Sequence, residues 1–468
     1  MGTAILARSP LWAWSIFLGS AFLVFWPVLH LGAFSDDHSA LWNSAMHGMP
    51  WRNSFFRPLS DLSFRMVHLL GGTSPWGQRV FNVALHGTNA FLIYLLFSRL
   101  IASTGTRGAF GAWCAGLVFL VYPFHQESIV WLVGRESSLA TLFTLLGLLT
   151  AGMQASIWPA TLSSSVALLL GTLCYESTVL LPVLVIVMHV SGTGRLGPAA
   201  RTVLIAQAIT LVAYLTLRWS LSDPTGDSYF TSLISKGPVA IFSNPPKVLA
   251  RLFLPPMPPH WMLWAAAALL LALGVVAWRI SRITQNEPIL RREIRTLILL
   301  LAVTCAVPVI GGVSTQTSES DRFLYQPSVI LCLLAGLLLC LCGPRAVRWT
   351  LGGLLTVACL IGLRANHANW QAASERTKAL IEELPEAPTG GRLFVHRLPD
   401  AYAGAFIFRN GFVEAVLLSG RDGRRYIPVP SHAPPRIIRF RGADLIRAEY
   451  DREIVWRDDL GRYVQGDP

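Results

Sequence analysis

Residues 11–38 read LWAWSIFLGSAFLVFWPVLHLGAFSDDH, and the class of fold is decided there. Leu11–Leu31 contains no Asp, Glu, Lys or Arg, and about 20 such residues are what a helix needs to cross the hydrocarbon of a bilayer. The run then gives way to Ser35-Asp36-Asp37-His38, charged residues at the point where a membrane would end. The same alternation recurs. Apolar runs occupy Val80–Leu100, Phe110–Phe124, Ile129–Ala151, Ala160–Cys174, Val179–Val190, Thr202–Trp219, Trp261–Trp278, Thr296–Val313, Pro327–Cys342 and Thr350–Leu363. Together with the first they predict an all-α polytopic membrane bundle of about eleven transmembrane helices. Composition agrees: 53% of the 468 residues are hydrophobic and only 14% are charged, against about 25% charged in a soluble domain. Pro238–Met257 is apolar but broken by five prolines, and reads as an interfacial or re-entrant segment.

Arginine placement orients the bundle. Arg8, then Arg99 and Arg107, Arg195 and Arg201, the group from Arg279 to Arg295, and Arg345 with Arg348 fall in alternate loops. The positive-inside rule then puts the N-terminus in the cytoplasm and the chain from Ala365 onward outside. No small-residue cleavage site precedes Asp36, so the first span reads as a retained anchor. The net charge of +12 is spread over short loops rather than gathered in one stripe, which points to membrane lipids and a lipid phosphate, with no nucleic-acid partner. The seven cysteines sit in or beside apolar runs without a CxxC pair, and so read as small hydrophobes with no metal role. Residues 1–365 are expected to form the membrane domain and 366–468 a small β-rich external domain. In the latter, a helix over Ser374–Leu384 precedes short apolar stretches at Arg392–Leu398, Ala405–Phe408, Phe412–Leu418, Ile437–Phe440, Leu445–Ala448 and Glu453–Trp456, with turns at Asn410-Gly411 and Asp422-Gly423.

The loops opposite the arginines hold nearly all the carboxylates and histidines of the membrane half. Asp36 and Asp37 are adjacent, which raises one carboxyl by repulsion and desolvation. In an extended segment they point opposite ways, so one can act as a base while the other anchors the loop. Phe56-Arg57-Pro58-Leu59 opens an amphipathic helix over Leu59, Leu62, Met66, Leu69 and Leu70, suited to the interface, and Arg57 or Arg65 could hold a phosphate. Asn82, His86 and Asn89 share one face of the second span and line either a cavity or an interhelical contact. In Tyr122-Pro123-Phe124-His125-Gln126-Glu127, continuing to Gly134-Arg135, the spacing of Glu127, Trp131 and Arg135 predicts one helix stacking Glu127 and Arg135 two turns apart. Asp321-Arg322-Phe323-Leu324-Tyr325 brings Arg322 and Tyr325 to the mouth of the tenth span, where both can donate to phosphate oxygens. Glu176 is a further outward-facing acid.

This ordered set resembles the GT-C superfamily of membrane glycosyltransferases. It is similar to the membrane portion of the transmembrane and tetratricopeptide-repeat O-mannosyltransferases and their bacterial relatives, over roughly residues 10–365. The resemblance implies an inverting transfer from a polyprenyl-phosphate sugar donor to a protein or glycan acceptor hydroxyl at the lumenal or periplasmic face. It maps the catalytic carboxylate onto Asp36 or Asp37, lines the site with His125, Glu127 and Arg135, and sets Arg322 and Tyr325 near the donor phosphate; Arg57 and His86 join them as substrate-binding candidates. No tetratricopeptide array follows, which favours a bacterial inner-membrane enzyme. Carboxylates near a phosphate suit a divalent cation, although no ligand spacing demands one. A transporter or flippase of a lipid-linked glycan is the competing function; it predicts ionisable residues at mid-membrane and internal repeat symmetry.

Overall fold

The computed structural model describes residues 10–46, 56–101, 105–152, 157–221, 237–429, 437–440, 443–446, 452–458 and 460–465. Arg8, used above for orientation, and residues 447–448 of the expected strand Leu445–Ala448 lie outside them. The first half runs through α1 (Pro10–Phe25), α2 (Asp36–Met46), α3 (Pro58–Gly71), α4 (Pro75–Leu100), α5 (Gly108–Leu120), α6 (Gln126–Ile129), α7 (Arg135–Ala151), α8 (Ile157–Thr172), α9 (Leu181–Thr193) and α10 (Pro198–Leu221). Then come α11 (Gly237–Phe253), α12 (Pro259–Ile283), α13 (Pro288–Thr304), α14 (Ala306–Gly311), α15 (Tyr325–Leu341) and α16 (Arg345–Glu382). Several start on proline, which lacks the amide N–H that a first turn leaves unbonded anyway.

Seven helical segments among the described residues are long and apolar enough to cross a membrane: Pro10–Val28, Pro75–Leu100, Pro198–Leu221, Pro259–Ile283, Pro288–Gly311, Asp321–Leu341 and Arg345–Glu382. Three shorter apolar helices accompany them. Their outward faces are what a lipid solvent requires: on α12, Leu263, Trp264, Leu271 and Trp278 are all exposed. The protein is an integral membrane protein. Its interior packs through small residues, as at Gly336 of α15, where a Cβ would lie 2.5 Å from the Gly111 carbonyl oxygen of α5.

Pro238–Met257 is largely helical, as α11, with Pro245 and Pro246 inside it. The separate helix expected over Ser374–Leu384 is instead the end of α16. The linking residues 364–373 hold neither glycine nor proline, so nothing interrupts the helix. Its 38 residues rise about 57 Å, well beyond a hydrocarbon core of about 30 Å, so the last turns leave the bilayer and carry the tail. The tail builds a four-stranded sheet from β1 (Leu393–His396), β4 (Tyr426–Val429), β7 (Arg452–Arg457) and β8 (Arg462–Gln465) in the order β4-β1-β7-β8. β1 runs parallel to both neighbours and β8 antiparallel to β7. Two ribbons pair β2 (Ala401–Tyr402) with β3 (Ala405–Phe406), and β5 (Ile437–Phe440) with β6 (Ala443–Ile446). Phe412–Leu418, expected as a strand, is the helix α17. It buries Phe412, Val413, Ala415 and Val416, a helical repeat rather than an alternation.

Candidate functional site

The loop ends of α1, α3, α7, α10 and α15 meet at one end of the bundle. Asp36 and Asp37 are not in an extended segment there. They form the first turn of α2, where unpaired backbone N–H groups favour carboxylates. The two differ sharply in environment. Asp37 is fully buried: its Oδ2 accepts the Phe34 N–H (3.1 Å) and its Oδ1 accepts the Val133 N–H (3.1 Å), tying α2 to the turn before α7. Burial pushes its carboxyl up to about 7, against the pull of Arg79 and of those backbone amides. Asp36 is half-buried. Burial raises its carboxyl too, opposed by the Asn410 side chain and by the charges of Arg322 and Arg409. Asp37 holds the loop; Asp36 faces a field of positive charge.

Arg322 is fixed from below by Glu127. Glu127, only 1% exposed, accepts the Arg322 backbone N–H on Oε2 (3.1 Å) and ion-pairs with its guanidinium through Oε1. Burial raises the Glu127 carboxyl and Arg322 opposes that rise. The guanidinium lies 5.1 Å from the Trp131 ring and 4.9 Å from that of Phe323, sides on which a cation is attracted. The expected single helix through Glu127, Trp131 and Arg135 does not form. α6 stops at Ile129, the chain winds a tight turn, and α7 begins at Arg135. The turn requires Gly134, because a Cβ there would sit 1.8 Å from the Glu127 carbonyl oxygen. Arg135 therefore points elsewhere. It is fully buried, donates to the Gln78 carbonyl (3.0 Å) and stacks 3.9 Å from the Phe64 ring centroid.

A second ionic group adjoins this one. Arg57 pairs with Glu136 and with Glu176 (2.9 Å), and Glu176 pairs with Arg218 (3.1 Å). Burial would lower the Arg57 pKa, but the two carboxylates more than reverse it and hold the guanidinium charged. Arg57 lies 4.4 Å from the Tyr175 ring, which in turn stacks on Phe323 beside Arg322. Asp61 of α3 completes the group; burial pushes its carboxyl up to about 6, opposed by Arg57. Asp36, Arg322, Arg57 and their carboxylates thus form one continuous belt.

His86, His125 and Tyr325 lie apart from that belt, fully buried among the helices. His86 Nε2 faces the Leu120 carbonyl (3.1 Å), which can only accept, so Nε2 carries the proton. His86 Nδ1 then accepts from the Tyr325 hydroxyl (2.8 Å), whose oxygen accepts from Asn89 Nδ2 (3.2 Å). His125 Nε2 bonds Ser328 Oγ (2.7 Å). Asn82 and Asn89 bond carbonyls of the 129–138 segment, so the polar face of α4 makes interhelical contacts. Among the described residues no three His, Cys, Asp or Glu side chains gather as a metal site would need.

Several groups at this end escaped the sequence reading. Arg79 donates to the carbonyls of Leu29, Leu31, Gly32 and Val130, closing the loop after α1. Glu136 stands next to Arg135 in sequence and offered a local signal. Arg409 and Asn410 come from the tail, and nothing local could bring them to Asp36.

No family model matches the chain. Protein O-mannosyl-transferase TMTC2 of Homo sapiens is 37% identical over 110 residues, which is 22% of this chain and 13% of that protein. Protein O-mannosyl-transferase Tmtc2 of Drosophila melanogaster is 27% identical over 259 residues, or 49% of this chain and 26% of that one. The chain thus spans about a quarter or less of the length of these relatives. Among solved structures, ArnT from Cupriavidus metallidurans bound to undecaprenyl phosphate overlaps 90% of each chain at 16% identity, with a TM-score of 0.37. The resemblance to membrane O-mannosyltransferases stated from the motifs is therefore found again in sequence matches that cover 22% and 49% of this chain.

Proposed function

We propose that this chain is a glycosyltransferase that moves a sugar from a polyprenyl-phosphate donor to an acceptor hydroxyl, on a protein or a glycan, at the external membrane face. The observation that carries the reading is the contrast between the two aspartates. Asp37 is consumed by backbone bonds, while Asp36 stays half-buried in the field of Arg322 and Arg409. The Asp36 carboxylate takes the proton of the acceptor hydroxyl. The acceptor oxygen attacks the anomeric carbon, and the bond from that carbon to the phosphate oxygen breaks with its electron pair leaving on the phosphate. The configuration inverts because attack and departure occur on opposite faces. A phosphodiester becomes a monoester and gains one negative charge, which Arg322 and Arg57 are suited to stabilise. A lipid donor needs its site at the bilayer surface, which a belt at the mouth of the helices satisfies.

In this reading about eleven helices cross the membrane, the N-terminus is cytoplasmic, residues 1–365 form the catalytic domain and 366–468 a periplasmic one. The membrane is a bacterial inner membrane. Support comes from the arginines in alternate loops and from the similarity to O-mannosyl-transferases. The test supplies purified protein in nanodiscs with polyprenyl-phosphate mannose and a Ser/Thr-bearing acceptor peptide or a glycan acceptor, and follows release of polyprenyl phosphate. Asp36→Asn is expected to bind donor and release nothing; wild-type turnover in that variant would overturn Asp36 as the base.

A further inference from the structure

The tail reaches the belt through residues 399–411. They fold as a strap, closed on itself by Ile407 N–H to the Asp400 carbonyl (2.9 Å) and Phe408 N–H to that of Pro399 (3.1 Å). The strap is seated on two different loops. On the loop carrying Asp36, Ser35 N–H donates to the Ile407 carbonyl (2.8 Å), and Asn410 N–H donates to Ser35 Oγ (3.1 Å). On the loop carrying Arg322, Arg409 pairs with Glu319. Both seats are too close for a side chain. A Cβ on Gly411 would lie 2.2 Å from the Ser35 carbonyl oxygen, and one on Gly404 would lie 2.4 Å from the Ser318 nitrogen. Both glycines also have positive φ, +75° and +89°, which L side chains rarely adopt. Aromatic contacts complete the seat: Phe406 against Trp131 (4.9 Å) and Phe408 stacked on His38 (5.7 Å).

We infer that the strap is a wall of the site, and that Asn410 is a positioning residue which holds the Asp36 carboxylate in the orientation its reaction needs. The inference rests on the function proposed above. Ser35 has φ +45°, so the backbone just before Asp36 is in an uncommon conformation that the strap's two hydrogen bonds help to hold. The Asn410 backbone, bonded to Ser35 Oγ one residue before Asp36, brings its side chain beside the carboxyl, whose charged form it favours. The charged groups facing Asp36 are Arg322 from the 321–324 turn and Arg409 from the strap; on its own helix its neighbour is the buried Asp37. The neutral groups that favour the charged carboxyl are the Asn410 side chain, from the strap, and the Asp36 backbone N–H. Loss of the Asn410 side chain removes one of them without removing a charge.

The test uses the full chain in nanodiscs and two readouts. The first is kcat/KM against pH for Asn410→Ala and Asn410→Asp. A donor to the charged form lowers a carboxyl pKa, so Asn410→Ala should move the acid limb upward by about one pH unit. Asn410→Asp should move it further, because it adds a like charge. The second readout needs no turnover: the carboxyl stretch of Asp36, taken as the infrared difference between wild type and Asp36→Asn, titrated with and without Asn410→Ala. A shift in both readouts supports the inference. An Asp36 titration unmoved by either change at Asn410 overturns it, whatever the activity. Turnover that ignores Asp36→Asn while Asn410→Ala still shifts the Asp36 stretch would overturn the proposed function and leave the contact standing.

Discussion

The Glu127–Arg322 pair gives an unequal cost to losing either partner, and the inequality follows from burial. The Glu127 side chain is 1% exposed and that of Arg322 is 21% exposed. Arg322→Ala leaves a carboxylate in the interior with only a backbone N–H for company. Removing one partner of a buried pair costs about 3–5 kcal/mol. Glu127→Gln is gentler. The amide oxygen still accepts the Arg322 N–H, and the guanidinium can turn toward solvent between the Trp131 and Phe323 rings. The loss is then one charge-assisted hydrogen bond, about 1.5–3 kcal/mol. The double variant removes both charges and should recover about 1.5–3 kcal/mol relative to the sum of the singles. The assay is unfolding free energy by steric trapping in bicelles, at two pH values. The pH sign is fixed by Glu127. Its folded pKa is raised, so its contribution to stability is present at low pH and fades as pH rises through the folded value. Arg322→Ala removes a group that opposed that rise, so this variant should regain stability on acidification more than wild type does, and Glu127→Gln should lack that gain. If Arg322→Ala proves the milder single change, or if the two add within about 0.5 kcal/mol, the pair does not fix Arg322 as argued.

The two aspartates should separate cleanly. Asp37→Asn turns an NH2 toward one of two buried backbone N–H groups and should cost about 1–3 kcal/mol, read as a lower unfolding temperature, whereas Asp36→Asn should melt like wild type and release no polyprenyl phosphate. Gly134→Ala drives a Cβ into the Glu127 carbonyl and should displace the turn; reduced folded yield together with weaker donor binding would be seen, and wild-type values for both would contradict the turn's role. Because burial raises the Asp36 carboxyl above its ordinary value, a base at that position is active only above that raised value. The acid limb of kcat/KM should therefore fall above about 3.9, and an acid limb at or below that value would remove Asp36 from the role.

The spans were legible because a membrane imposes its rule on each segment separately. Most of each of the eleven apolar runs is helical in the structure, and seven of them fall in segments long and apolar enough to cross a membrane, while Ile129–Ala151 is broken by the turn before Arg135. Errors arose where one contact overrides a local period. Glu127, Trp131 and Arg135 have helical spacing, but Gly134 permits a turn so tight that the period is broken between them. Phe412–Leu418 was read as strand from its apolar content, although the buried positions 412, 413, 415 and 416 repeat as a helix does. Of the candidate site residues, Asp36, Arg57 and Arg322, which sit in loops flanking spans, are brought to one end of the bundle. The partners that decide their roles were not legible, because the Asn410–Asp36 and Arg57–Glu176 contacts join segments hundreds or at least a hundred residues apart. Pairing at that distance is a property of packing, with no local trace.

The belt also shows how so many ionisable groups can stand together at a membrane boundary. An unpaired charge there is costly, so nearly every carboxylate has been given a structural task. Asp37 holds a backbone turn, Glu127 holds Arg322, and Glu136 with Glu176 holds Arg57. Each task leaves a guanidinium or a loop fixed in place, and the arginines so fixed keep their charge on the side facing Asp36 or the neighbouring rings. Asp36 is held differently, by a neutral amide from the tail and by charges it does not ion-pair with directly. A carboxylate in that position can accept a proton without breaking a salt bridge that the fold depends on. That freedom, rather than its proximity to Asp37, is the ground on which Asp36 is proposed as the base.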